Sequence, residues 1–126
     1  MKKKESEEQI AIMTWAEYNI GRYPDLKYLY HCPNGGHRNS IEAANLKRQG
    51  VKSGVPDLFL ASPHAGFCGL YIELKSDKTC KVSDNQKEWI EGLKEQGYMA
   101  GVCYGAEHAI KVIERYLSQP RTKLSV

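Results

Sequence analysis

Apolar residues recur along this chain with two spacings, one helical and one alternating. Ile12 and Met13, then Ala16, then Ile20 recur at helical spacing, and Ser6 with Gln9 has the form of a capping box. Together they predict a first helix near residues 7–20, closed by Gly21 and Pro24. Residues 28–32 read as a short strand, stopped by Pro33-Asn34-Gly35-Gly36. Ser40 is placed to cap a second helix carrying Ile41, Ala44 and Leu46, with Gly50 at its left-handed terminus. Residues 57–61 and 69–75 then predict two neighbouring strands joined by a turn around Pro63 and Gly66. Ser83 opens a helix with Gln86, Trp89, Ile90 and Leu93 on one side and Gly97 at its end. A strand over 98–104 and a helix over about 106–117, with Ile110, Ile113 and Leu117 inward, complete the pattern, and 119–126 reads as a polar tail. The order predicts a small α/β domain with a mixed sheet and helices on both sides.

Length and composition narrow the classes. At 126 residues the chain makes one domain, 1–126, and its 41% hydrophobic and 26% charged residues are those of a globular protein. No apolar run approaches the roughly 20 residues of a membrane span. The lysine- and glutamate-rich start has no apolar segment of a secretion signal. The expectation is a cytoplasmic protein with no membrane partner. Cys32, Cys68, Cys80 and Cys103 form no C-x-x-C pair and the four histidines complete no zinc pattern, so no zinc is expected, and the cysteines read as reduced thiols. The net charge of +3 says little, but Arg38, Lys47, Arg48 and Lys52 face the single acid Glu42, an excess suited either to a phosphate backbone or to a solvated helix face.

Candidate chemistry centres on two strands. In Leu70-Tyr71-Ile72-Glu73-Leu74-Lys75, alternation sends Leu70, Ile72 and Leu74 to the core and Tyr71, Glu73 and Lys75 to the other face. Asp57 begins the neighbouring strand after the constrained turn Gly54-Val55-Pro56. Paired in register, the two strands bring the Asp57 and Glu73 carboxylates together, and two hard oxygen donors suit Mg²⁺ or Mn²⁺, with Lys75 in reach. An exposed Glu73–Lys75 pair with Asp57 as a turn residue is the plain alternative. Gln86 either serves this site or closes the Ser83-x-x-Gln86 capping box, and its side chain is not expected to do both fully. Trp89 reads as core at its spacing. His31 and His37 read as structural or phosphate-contacting residues.

The series Gly54-Val55-Pro56-Asp57, strand, turn, Glu73-Leu74-Lys75, then Ser83-x-x-Gln86-x-x-Trp89 resembles the PD-(D/E)xK nuclease superfamily. Within it, the chain is similar to stand-alone VRR-NUC domains of phages and bacteria. The likeness runs from residues 5–9 through His31-Cys32-Pro33-Asn34-Gly35-Gly36 and Leu46-Lys47-x-x-Gly50-Val51-Lys52 to Gly97-Tyr98. It implies a restriction-endonuclease-like αβββαβ core, inside a bacterial cell or a phage-infected host. It implies Asp57 and Glu73 as metal ligands with the main-chain carbonyl of Leu74, Lys75 as the catalytic lysine, Gln86 as the helix glutamine near the site, and Asn34 as the loop asparagine, placed with the DNA contacts. The family also brings an N-terminal glutamate to the site. Glu5, four residues from Gln9 on one helical face, fits that spacing, and Glu8 is the second choice.

The function implied is a Mg²⁺- or Mn²⁺-dependent DNA endonuclease. Lys75 either orients and deprotonates the attacking water or stabilises the phosphate. Asn34, Arg38, Lys47, Arg48 and Lys52 are the expected DNA contacts, holding backbone without reading bases. The resemblance further implies a homodimeric Holliday junction resolvase. Cleavage of flaps, nicked or linear DNA, or a non-catalytic nucleic-acid binding module, are the competing readings.

Overall fold

The chain is described here by a computed structural model covering residues 3–34 and 39–125. Its elements run α1 (Lys3–Asn19), a 3₁₀ helix (Pro24–Tyr28), β1 (Leu29–His31), α2 (Ser40–Arg48), β2 (Leu58–Leu60), β3 (Leu70–Lys75), α3 (Asp84–Glu95), β4 (Met99–Tyr104) and α4 (Ala106–Leu117). The four strands lie side by side in chain order, β1 and β2 antiparallel, β2 and β3 antiparallel, β3 and β4 parallel. This is the mixed α/β sheet that the sequence predicts.

The parallel register pairs Ile72 with Gly101 and Leu74 with Cys103, so these residues share one face of the sheet. That face carries Leu58, Leu60, Leu70, Ile72 and Leu74 into a core with Ile12 and Ala16 of α1 and Ala109, Ile113 and Tyr116 of α4. α4 has its apolar residues on one stripe, and burying such a stripe against a sheet is what holds a helix of this length in place. The opposite face holds Tyr71, Glu73 and Lys75. Near its middle Phe59 stacks on Tyr71 with ring centroids 4.2 Å apart, and Tyr98 meets both edge-on.

Three expectations need correction. α1 begins at Lys3, a turn before the box that Ser6 and Gln9 were expected to form, so Ser6 lies within the helix and the added turn carries Glu5, which is buried. α2 is capped by Asn39, whose Oδ1 accepts from the Glu42 N–H at 2.8 Å, and not by Ser40. α2 also buries none of its residues, and Ile41 is 75% exposed. The reason is angular: five residues at 100° each put Ile41 well over a quarter turn from Leu46, whose half-buried neighbour is Ala43. Gly50 does end that helix with φ +103°. Residues 119–122 are docked: the Ala65 N–H donates to the Pro120 carbonyl at 2.9 Å, the Thr122 N–H to Pro63 at 3.0 Å, and Arg121 pairs with Asp25 at 2.8 Å. Among the described residues no helix is long and apolar enough to cross a membrane.

Candidate active site

The site lies where β2 and β3 part. Their ladder pairs Leu60 with Leu70 and Leu58 with Ile72, and it ends there. One step on, the Leu74 N–H has no strand to meet, and the Asp57 carboxylate takes it instead, Oδ2 accepting at 2.8 Å. In an extended strand a residue's N–H and C=O face the same neighbour, so the Leu74 carbonyl is turned toward the same opening. Asp57 is 3% exposed and is held from a second side by Asn34, whose Nδ2 donates to Oδ1 at 3.2 Å and reaches the Val55 carbonyl at 3.5 Å. Its main chain is fixed as well, for its carbonyl accepts from the Cys32 N–H and contacts His31 Nδ1, both at 2.8 Å.

Glu73 and Lys75 come from β3 by alternation, and α3 covers them. Glu73 is 2% and Lys75 8% exposed, so the surface-pair alternative does not describe them. Lys75 Nζ stands 3.5 Å from Glu73 Oε2 and donates to Gln86 Oε1 at 3.0 Å, while Gln86 Nε2 donates to Glu73 Oε2 at 3.1 Å. Gln86 also closes the capping box, its Oε1 accepting from the Ser83 N–H at 2.9 Å and its own N–H donating to Ser83 Oγ at 3.1 Å. The expectation that it would serve only one role is therefore corrected: an amide oxygen has two lone pairs, and here one faces the helix cap and the other the lysine.

Gly54 shapes the entrance. Its φ is +89°, and a Cβ there would lie 2.7 Å from Asn85 Nδ2 and 2.8 Å from Trp89 Cδ1. Asn85 in turn ties α3 to this loop, donating to the Ser53 carbonyl and Oγ, both at 3.0 Å. The result is a polar cleft of about 320 Å³ whose lining brings together Glu5, Asn34, Asp57, Glu73, Lys75 and Gln86.

The electrostatics are those of crowded acids. Burial, and then the adjoining Asp57 carboxylate, push Glu73 from 4.5 to about 8, with Lys75 acting in opposition. Burial likewise raises Asp57, against the hydrogen bond from Leu74, and the charge of Glu5 adds to the rise. Glu73 Oε1 is buried and has no hydrogen-bond partner among the described residues. A buried carboxylate oxygen left bare costs free energy unless a cation or a proton meets it, so the donor set fits a divalent ion. Among the described residues no three histidine, cysteine or acidic side chains cluster tightly enough to make a closed cage. Mg²⁺ does not ask for one, since it binds through one or two carboxylates, waters and substrate phosphates.

The remaining predicted residues divide. Glu5 lines the cleft and is buried, whereas Glu8 faces away from it: its Oε2 accepts the Ala106 N–H at 2.6 Å and caps α4, whose preceding residue, Gly105, has no side chain to do so. Gln9 is half-buried on α1, lines a separate hollow beside Met13, and its Oε1 is buried without a partner among the described residues. Lys47, Arg48 and Lys52 are exposed. Arg38 and His37 lie outside the described residues. Asn34, expected to contact DNA, directs its amide at Asp57. Trp89, expected in the core, is half-buried and lines the surface beside Gly54. The supports that sequence reading missed are Ser53, Asn85 and the cap formed by Glu8; only Gly54, inside Gly-Val-Pro-Asp, left a signal for that corner.

One other polar group looks reactive and is not. Ser62 donates to Asp25 at 2.6 Å and contacts His64 Nε2 at 3.0 Å, but Ser62 is 1% exposed and His64 Nδ1 meets the Gln119 carbonyl at 2.8 Å. That network fastens the tail.

A model of the VRR-NUC domain matches residues 2–107, most of the chain and all of the cleft. The chain belongs to the VRR-NUC family. A solved structure of a "VRR_NUC domain protein" superposes with a TM-score of 0.80 at 31% identity, covering 98% of this chain and 99% of that one. No curated protein matches the chain. VRR-NUC domains are PD-(D/E)xK nucleases, which use a divalent metal and act on DNA.

Proposed function

We propose that this VRR-NUC chain is a Mg²⁺- or Mn²⁺-dependent endodeoxyribonuclease, selective for DNA shape and working as a homodimer on Holliday junctions. The observation that carries the catalytic part is the bare, buried Glu73 Oε1 beside Asp57, in a cleft that also presents Lys75. Asp57, Glu73 and the Leu74 carbonyl would hold the ion, which when bound supplies Lewis acidity at a phosphate oxygen and a water of lowered pKa. Lys75 has three N–H donors. Gln86 and Glu73 engage two directions of them, and the third serves a phosphate oxygen on which negative charge grows during cleavage. Gln86 positions the lysine and Glu73 together, and Asn34 with the Leu74 N–H keeps Asp57 from turning.

Support for the substrate is chemical. Lys47, Arg48 and Lys52 grip phosphates without reading bases, which favours recognition of shape. The described residues of one chain form one such cleft, and symmetric incision of a four-way junction needs two, related by a twofold axis. The test is cleavage of fixed four-way junctions, flaps and linear duplex in Mg²⁺, with particle mass measured by light scattering. Junctions should be cut in preference by a particle of two chains, and Asp57→Asn should abolish cutting while DNA affinity stays. Equal cutting of all three substrates refutes the selectivity, and an Asp57→Asn protein as fast as the parent refutes the site.

A further inference from the structure

A second cavity adjoins the cleft and has no part in the chemistry above. It is an open hollow between α2 and α3 of about 570 Å³, within the range of roughly 300–1,000 Å³ typical of small-molecule sites. Its apolar lining is Ala43, Leu46, Val51 and Trp89, and Lys47 and Lys52 stand beside it. Ser53 and Asn85, hydrogen-bonded to each other, border both cavities.

We propose that this cavity receives one unstacked nucleobase of the DNA, from a nucleotide next to the bond being cut. The proposal deepens the nuclease reading and rests on it. Three observations select the occupant. Trp89 is an indole held at a surface cavity rather than in the core, and aromatic side chains so placed are stacking platforms for bases of any sequence. Lys47 and Lys52 supply the opposite charge for the phosphates on either side of that base. The shared wall of Ser53 and Asn85 places the cavity a short step from Asp57 and Lys75, so a strand with its phosphate in the cleft passes the opening. A base inside a duplex is stacked and paired and does not enter, whereas the first unpaired nucleotide at a branch is already free of a partner and unstacks at small cost. At a fork or flap the cavity thus rewards a nucleotide that continuous duplex does not offer; at a four-way junction, where every base is paired, the occupant is a base at the crossover, which opens at a smaller cost than one inside continuous duplex.

The experiment is a binding titration of the full chain in chelator, so that cleavage does not enter. The probe is a fluorescently labelled forked duplex whose first unpaired nucleotide is either intact or abasic. The parent protein should bind the intact fork about tenfold more tightly than the abasic one, the effect of losing one stacked base. Trp89→Ala should bind both alike, at the affinity the parent shows for the abasic fork. Leu46→Glu, on a helix that buries no residue, tests the same cavity without threatening the fold and should give the same equality. A parent that binds the two forks equally overturns the proposal. So do variants that weaken intact and abasic forks by the same factor, as a general phosphate surface or a site for a protein partner would. Failure of the nuclease reading is separately visible: the parent then cuts no fork on addition of Mg²⁺ or Mn²⁺, whatever the titration shows.

Discussion

Glu73→Gln should make the metal-free protein more stable while ending its chemistry. Glu73 is almost fully buried and is pushed from 4.5 to about 8, so between those values the folded chain binds a proton that the unfolded chain has released. Stability of the metal-free parent therefore falls as pH rises from about 5 to 8, opposite to the usual behaviour of a carboxylate stabilised by its surroundings. The gap sets a ceiling of about 5 kcal/mol at ~1.4 kcal/mol per pH unit. Relaxation and water entry around the carboxylate lower this, and about 2–4 kcal/mol at pH 8 is expected. Glutamine has the same shape and no charge. Its oxygen can accept from Gln86 Nε2, and its amide can donate to Asp57 where Oε1 now stands bare. Urea denaturation in chelator reads the difference: with a slope of about 2 kcal/mol per molar, the variant's midpoint at pH 8 should exceed the parent's by about 1–2 M, and the two should converge near pH 5. Adding Mg²⁺ should raise the parent's midpoint and leave the variant's in place. A Glu73→Gln protein no more stable than the parent at pH 8, or a parent whose stability climbs from pH 5 to 8, would refute the account of a strained acidic pair.

Further outcomes follow from the same geometry. Glu8→Ala should cost about 1 kcal/mol in urea, by uncapping α4, with the cleavage rate kept, whereas Glu5→Gln should slow cleavage with stability nearly unchanged; the reverse pairing would show that the wrong glutamate has been assigned to the cleft. Gly54→Ala should cost about 1–3 kcal/mol, because alanine at φ +89° is strained and its Cβ meets Asn85 and Trp89, and calorimetry would show it as a lowered Tm. Lys47→Ala and Lys52→Ala should each weaken DNA binding and reduce the slope of log affinity against log salt by about one, measured by anisotropy across salt concentrations.

What was legible in the sequence is what period and alternation control. The alternation of β3 put Glu73 and Lys75 on one face and the leucines and Ile72 on the other, and the structure keeps that division because one face must meet α1 and α4. The apolar stripe of α4 and the cap at Ser83 were equally plain. The misreadings lie where a residue's surroundings come from far along the chain. The cap that Glu8 forms on α4 depends on a contact 98 positions away, which no local motif encodes. Trp89 carries the helical spacing of a core residue, but α2 stands off from α3 and leaves the indole at the surface. Asn34 looked like a loop donor because the aspartate it holds lies 23 residues downstream.

The brevity of β2 has a wider meaning. A strand only three residues long is a weak element, and one more rung, with the Pro56 carbonyl accepting the Leu74 N–H, would knit the sheet more firmly. That rung would also occupy the gap in which two carboxylates and a backbone oxygen now converge. Efforts to toughen this protein by lengthening its hairpin would thus seal the cleft proposed to meet nucleic acid, so hardening is better sought at the opposite end of these two strands, where residues 120–122 already clasp the turn.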